Sequence, residues 1–377
     1  MIIGIDISSV SYQTGVSNYT LNLVRNLLKI DKTNHYKLFY SSLRLPLPQE
    51  IKILSSHPNV SIHQFKIPPT LLQIIWNQLR LFPIELFIGK CDLFHTSDWT
   101  QPPTLKCKTI ATIHDLTPFL FPKWHHQKVI QAHQNKMYWA AKKCCHFICV
   151  SQNTKNDLLK LFPQIDPQKI SVIYEAAETK YSQFLKLSPN LQQKKKDIIK
   201  KQYGLTNFIL AQGTREPRKN LDRLVESFLK FKSEFPKSTV ELAITGKYGW
   251  GEDLKLKNPS VKILGFIPEK DMVALHASAI CLAYPSLYEG FGLPVVKSLQ
   301  VGTPVITSNV SSLPEITDNS AILVDPTSTE SIKKAIEKIV NSNKLRQQLS
   351  QKGLKQAQKF SWIKTATQTL SVYQNLC

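Results

Sequence analysis

Two stretches of the sequence carry residue types suited to gripping a phosphate-bearing ligand. In Gln212-Gly213-Thr214-Arg215-Glu216-Pro217-Arg218-Lys219-Asn220, adjacent cations stand at the start of a helical pattern. Arginine forks onto phosphate oxygens and lysine adds a point charge, so Arg218 and Lys219 suit a diphosphate. Cations oppose the dipole at a helix amino terminus, which makes chance surface charge the weaker explanation. The second stretch is Tyr284-Pro-Ser-Leu-Tyr288-Glu289-Gly290-Phe291-Gly292-Leu293-Pro294. Here a strand ends, two glycines make a tight loop, and Pro294 opens a helix that runs toward Gly302. Backbone N–H groups of Phe291, Gly292 and Leu293 at that helix start can hold phosphate oxygens, and Glu289 can accept hydrogen bonds from sugar hydroxyls.

Two further candidates lie in the first half. His114, in Ile113-His114-Asp115-Leu116, closes a strand; it either exchanges protons with a substrate hydroxyl or caps the strand structurally. Gly15, in Thr14-Gly15-Val-Ser-Asn-Tyr19, lets backbone amides approach an anion, but a plain strand-to-helix connection reads the same way.

The elements that position these residues follow from alternating patterns. Strands are expected at Ile2–Ile7, Tyr36–Tyr40, Val60–Phe65, Asp92–His95, Thr109–His114, Phe147–Val150 and Ile170–Ile173. A second set covers Phe208–Ala211, Val240–Thr245, Val261–Leu264, Ile280–Tyr284, Pro304–Thr307 and Ala321–Val324. Helical patterns such as Val16–Leu28 and Val129–Lys142 separate them. Strands alternating with helices imply parallel sheets covered on both faces, hence two doubly wound α/β domains. In such sheets ligands bind beyond the carboxyl ends of strands, where all four candidates lie. The boundary falls near Ala176–Leu205, a strand-free segment whose Lys194–Lys201 run reads as a solvated helix face. Ser361–Cys377 reads as a closing helix with Trp362 as an aromatic anchor.

The chain has 377 residues, 42% hydrophobic and 20% charged, which excludes a disordered or collagen-like chain. With 48 Lys plus Arg against 27 Asp plus Glu, the formal charge of +21 calls for an anionic partner: phosphate-bearing substrate, acidic membrane or nucleic acid. No zinc knuckle, recognition-helix signature or aromatic–basic alternation supports nucleic acid, and the absent G-x-G-x-x-G disfavours a nicotinamide dehydrogenase. Seven cysteines in mostly apolar runs suit reduced thiols in a cytoplasmic compartment. The Cys144-Cys145-His146…Cys149 cluster lacks a second pair at zinc spacing and reads as core. The sequence opens on a strand without a cationic leader, and no apolar run reaches the roughly 18 residues of a membrane span. Thr70–Leu81 is an apolar helical stretch that either packs in a core or rests on an anionic bilayer.

Taken together, Arg215-Glu-Pro-Arg-Lys-Asn220, Tyr288-Glu-Gly-Phe-Gly-Leu-Pro294 and Gly302-Thr-Pro-Val-Ile306 resemble glycosyltransferase family 4. The resemblance spans nearly the whole chain and extends to His114-Asp115, Val150-Ser151, Gly265-Phe-Ile-Pro268 and Phe360-Ser-Trp362. It implies the GT-B fold: two facing Rossmann-like domains with parallel sheets and a cleft between them. The expected acceptor domain covers 1–178, with helix 361–377 packing back on it, and the donor domain covers 179–360. The implied activity is retaining, metal-independent transfer of a hexose, mannose-type favoured, from a nucleotide diphosphate sugar to a glycan or lipid-linked acceptor in surface polysaccharide or glycolipid synthesis. No cofactor is implied, and the chain contains no Asp-x-Asp pair for a divalent ion. Arg218 and Lys219 would hold the diphosphate, while Glu289 and the Gly290, Phe291, Gly292 and Leu293 amides hold sugar and phosphates. Gly213 would join them in the donor site, Gly15 would line the cleft, and His114 would bond the transferred sugar. One departure stands out: the family's second glutamate, eight positions beyond the first, is Lys297 here. Lysine cannot accept hydrogen bonds from ribose hydroxyls, so Lys297 would meet ribose oxygens or phosphate as a donor. That change also favours the alternative of a catalytically degenerate sugar-nucleotide-binding module.

Overall fold

A computed structural model describes residues 1–12, 14–247 and 258–377. It divides into two compact units, residues 1–175 with 362–377, and residues 176–361. Thirteen strands are present among the described residues, each overlapping an expected one. In the first unit β1 (Ile2–Asp6), β2 (His35–Ser41), β3 (Val60–Phe65), β4 (Leu93–Thr96), β5 (Lys108–Ile113), β6 (His146–Cys149) and β7 (Ile170–Val172) form one sheet in the order β3-β2-β1-β4-β5-β6-β7. In the second, β8 (Phe208–Gln212), β9 (Glu241–Thr245), β10 (Val261–Gly265), β11 (Cys281–Tyr284), β12 (Val305–Ser308) and β13 (Ile322–Val324) run in the order β10-β9-β8-β11-β12-β13. Every pairing is parallel. Parallel strands are covered on both faces, which is why Leu93, Phe94, Ile148, Cys149, Leu282 and Ala283 are all buried in consecutive positions.

Helices cover the sheets through apolar stripes. Gly15–Ile30 buries Tyr19, Leu23, Val24, Leu27 and Leu28, and Thr14 caps it by accepting from the Ser17 N–H. In the second unit Leu221–Glu234 buries Leu224, Phe228 and Phe231 against β8 and β9 residues. The helix Trp362–Leu376 belongs to the first unit: Thr365 donates to the Tyr174 carbonyl at 2.7 Å, and Tyr373 meets His95 Nδ1 at 2.6 Å. The Lys-rich segment forms the helix Pro189–Gln202, with Lys194, Lys195 and Lys201 exposed as expected of a solvated face.

Thr70–Leu81 departs from the single apolar helix expected. A four-residue α-turn, Pro69–Leu72, widens into a π-helical Gln73–Gln78. Leu72 and Trp76 enter the core, while Leu71, Ile74, Leu79, Leu81 and Phe82 stay exposed. Apolar residues stand on every side of this stretch, so no single face could bury them all.

Candidate active site

The second sheet turns in opposite directions from β8 and β11, which lie side by side. Their carboxyl ends are therefore the switch point, where open α/β sheets receive ligands. The loop after β8 carries the Arg218–Lys219 pair and the loop after β11 carries Glu289, so the topology unites motifs some 70 residues apart. Pro217–Lys219 forms a 3-10 turn ending at Asn220, whose backbone is left-handed (φ 56°). Asn220 locks that turn to its neighbours, its Nδ2 donating to the carbonyls of Pro285 at 2.9 Å and Pro326 at 2.7 Å. Asparagine tolerates this backbone region better than most residues, which explains its place directly after the cations.

The charged groups converge on one carboxylate. Arg218 Nη1 donates to Glu289 Oε2 at 2.5 Å and Lys219 Nζ to Oε1 at 2.8 Å. Arg218 Nη2 also reaches Glu216 Oε1 at 2.7 Å, and Lys219 donates to the Tyr284 hydroxyl at 2.5 Å. Glu289 is 5% exposed. Burial alone would raise its pKa, but the charges of Arg218 and Lys219 outweigh that and lower it to about 2. Burial and the adjacent Arg218 push the Lys219 ammonium in the opposite direction from its carboxylate's support, below its usual range. The Glu289 backbone is pinned too: its N–H donates to Ser311 Oγ at 3.0 Å, and its carbonyl accepts from the Ser311 and Ser312 hydroxyls.

The glycines are close-approach positions. Gly213 lies against the Lys219 side chain, whose carbons sit 3.1 Å from where a Cβ would be. At Gly246 (φ 146°), a Cβ would stand 1.8 Å from the Gly213 carbonyl oxygen, so no larger residue fits. Gly292 (φ 105°) precedes the helix Leu293–Gln300, and its carbonyl accepts from the Val295 N–H at 2.9 Å. Gly290 continues the Glu289 loop. The Phe291 ring is buried edge-on against Phe360, with centroids 5.7 Å apart, and its carbonyl accepts from the Ser312 hydroxyl at 2.9 Å.

Lys297 lies on the helix Leu293–Gln300 that follows the Glu289 loop. Four per cent exposed, it places its Nζ 3.0 Å from Glu269 and 3.3 Å from Glu178, over the Tyr181 ring. Burial lowers its pKa, yet those two carboxylates outweigh burial and raise it. Its ammonium is thus engaged by acidic side chains. Beside it, His276 bonds Ser298 and Gln212 at 2.7 and 2.8 Å, and burial holds its pKa down at about 3, keeping it neutral.

His114 and Gly15 belong to the first unit. His114 Nδ1 lies 2.9 Å from Glu175 Oε1, and the Tyr19 ring meets the imidazole edge-on at 4.6 Å. Among the described residues its Nε2 is buried without a hydrogen-bond partner. Gly15 is the exposed first residue of its helix, and among the described residues no atom lies within 4 Å of a would-be Cβ; Gln13 of that loop lies outside the described residues. In the cysteine cluster, Cys144 and Cys149 are buried and His146 bonds Ser171 at 2.9 Å. Among the described residues no group of His, Cys, Asp and Glu is arranged to hold a metal ion.

Some partners escaped the sequence reading. Glu216 and Tyr284 lay inside the quoted motifs without a role, and Ser311 and Ser312 follow β12, where the strand-end rule points. Glu175 follows β7 by the same rule. Glu178 and Glu269 also follow strands, β7 and β10, but nothing in their spacing points to Lys297, to which only folding brings them.

Residues 192–356 match the family model for glycosyl transferases group 1, and residues 13–181 that for Glycosyltransferase Family 4. The chain is 26% identical to O-antigen chain mannosyltransferase B of Escherichia coli over 96% of both chains. It is 31% identical to O-antigen chain mannosyltransferase RfbU of Salmonella typhimurium over 66% of this chain and 64% of that one. Among solved structures, it superposes on Anabaena Alr3699/HepE in complex with UDP-glucose (TM-score 0.71, 16% identity, 100% of both chains). It also superposes on WaaG, a glycosyltransferase involved in lipopolysaccharide biosynthesis (TM-score 0.72, 14% identity, 99% of both chains). These likenesses establish two Rossmann-like units of the GT-B type, and the chain belongs to glycosyltransferase family 4.

Proposed function

We propose that this glycosyltransferase moves a hexose, mannose by preference, from a nucleotide diphosphate sugar to a glycan or lipid-linked acceptor in surface polysaccharide synthesis, with retention of anomeric configuration and without a divalent ion. The observation that carries this reading is the meeting of Arg218, Lys219 and Glu289 at the switch point of the second sheet. The relatives named as O-antigen mannosyltransferases support the sugar and the pathway class.

In this scheme the bond from the sugar's anomeric carbon to the β-phosphate oxygen breaks while a bond to the acceptor oxygen forms on the same face. The acceptor's proton passes to the departing phosphate oxygen, so no separate base is consumed. Negative charge grows on that phosphate, and Arg218, Lys219 and the Gly290–Leu293 amides stabilise it most at the transition state. Two fixed cations take the place a metal ion would otherwise have. Glu289 orients the cations and offers its oxygens to sugar hydroxyls. In the first unit, His114 presents Nε2 to a sugar hydroxyl while Glu175 holds its other nitrogen.

A screen of GDP-, UDP-, ADP- and TDP-hexoses tests the reading, with NMR of the new linkage. The expected result is turnover of a mannosyl donor to an α-linked product. An inverted linkage would refute retention. Sugar-nucleotide binding without turnover of any donor would establish the degenerate module, the reading that Lys297 favours.

A further inference from the structure

The stretch that follows β3 spends backbone free energy to keep apolar side chains in solvent. Arg80 and Phe82 both adopt left-handed backbone (φ 56° and 55°), a region that bulky residues rarely enter. Side chains hold them there. Arg80 Nη1 donates to the carbonyls of Trp76 at 2.9 Å and Gln101 at 2.5 Å, and its guanidinium lies 4.5 Å from the centre of the Trp139 ring. Buried Trp76 donates its indole N–H to the Phe82 carbonyl at 3.0 Å. The result is a fixed tip on which Leu79, Leu81 and Phe82 are all exposed, while Leu72, Trp76, Ile84 and Ile88 of the same stretch enter the core. The apolar surface continues beyond it. Leu86, on the short helix Glu85–Ile88, and Leu105 are each 67% exposed. Glu85 joins their segments, its Oε1 accepting from the N–H groups of Leu105, Lys106 and Cys107 at 2.9 to 3.0 Å. Several exposed large apolar side chains in one neighbourhood, two of them set by strained backbone, mark a surface with a partner.

The charge around this surface selects the partner. Between residues 66 and 108 all four lysines, Lys66, Lys90, Lys106 and Lys108, are exposed, whereas the three acids, Glu85, Asp92 and Asp98, are half-buried. Lys90, Lys106 and Lys108 line one cavity of about 950 Å³ together with Leu105. Glu85 and Asp92 reach the same cavity, but both accept from backbone N–H groups, Asp92 Oδ2 from that of Ile2 at 2.7 Å. On the other flank the helix Gln127–Lys143 exposes Tyr138, with Lys142 Nζ 2.5 Å from its hydroxyl. Trp139, the next residue, donates to the Asn77 carbonyl at 2.9 Å and so fastens that helix to the apolar stretch.

Leucine and phenylalanine flanked by exposed lysines and a tyrosine suit the boundary of an acidic bilayer. The apolar groups enter among the acyl chains, and the lysines stay at the negative headgroups. We infer that this face of the first unit docks on a bilayer carrying acidic lipid, with Leu81 and Phe82 inserted and Lys90 and Lys106 at the headgroups. A second copy of the chain fits less well, because a two-fold pairing sets the same lysines against one another. The inference goes beyond the transferase reading and does not depend on it.

The test floats the full-length chain with phosphatidylcholine vesicles, with and without phosphatidylglycerol. The parent should float with the acidic vesicles, come off them on added salt, and stay in solution beside pure phosphatidylcholine. Phe82→Asn with Leu86→Gln should weaken partitioning at least about tenfold, since two inserted side chains are lost. Its Tm should hold or rise, because asparagine accepts left-handed backbone better than phenylalanine does. Lys90→Gln with Lys106→Gln should weaken partitioning about ten- to thirtyfold at low salt. Equal flotation with and without phosphatidylglycerol, or none with either, would overturn the inference, as would partitioning within about twofold of the parent in either double variant. A dimer in sedimentation that disappears in Phe82→Asn with Leu86→Gln would overturn it too, since a second copy would then cover the face. If that variant does not fold, Leu86→Gln with Leu105→Gln replaces it, with the same loss expected. Flotation needs no turnover, so a chain that transfers no sugar would refute the transferase reading and leave this test intact.

Discussion

Glu289 shows how a buried carboxylate is held ionised and what that does for its neighbours. Two cations within 2.8 Å overcome the penalty of burial and bring its pKa from an ordinary 4.5 to about 2. A depressed carboxylate stabilises the folded state above its unfolded pKa and loses that contribution as pH falls through the folded one. Glu289→Gln should therefore be less stable than the parent at neutral pH, with the difference shrinking between about pH 4.5 and pH 2. Urea denaturation across that range checks it; a difference that stays constant would mean the carboxylate's charge does not carry the effect. His114 is the counterpart in the first unit, with Glu175 holding one nitrogen so that the other is presented with a fixed role.

Elements decide which of these residues meet. The strands were legible because parallel strands covered on both faces read as unbroken apolar runs, and all thirteen were identifiable in the sequence. The cation pair and the Glu289 loop were legible for a related reason: each directly follows such a run, where a switch point exposes it. The setting of Lys297 was not, because Glu178 and Glu269 come from distant parts of the chain and have no spacing in common with it. Thr70–Leu81 misled because its apolar residues lack one-sided periodicity and the backbone widens at Gln73. The Lys297 network makes its own prediction. Lys297→Met leaves two carboxylates facing each other, which should cost about 2 kcal/mol, less than a fully buried pair because the Glu269 side chain is 41% exposed. Chemical denaturation reads this directly, and a loss below about 0.5 kcal/mol would show that the lysine is not a structural tie there.

At the scale of the whole molecule, each unit is a doubly wound sheet with its own switch point, and chemically distinct groups occupy the two. The second concentrates two cations around one carboxylate, the arrangement proposed here to hold a diphosphate; the first places Asp6 at the end of β1. The net charge of +21 announced an anionic partner but could not say where it binds, because most of those cations are solvated, like the Lys-rich helix Pro189–Gln202. What distinguishes Arg218 and Lys219 is that they are mostly buried and directed onto one point. The most direct measurement is the steady-state rate of Arg218→Ala with the matched sugar nucleotide. If this cation stabilises the departing phosphate, kcat falls about thirty- to a thousandfold; a rate within about threefold of the parent contradicts the assignment.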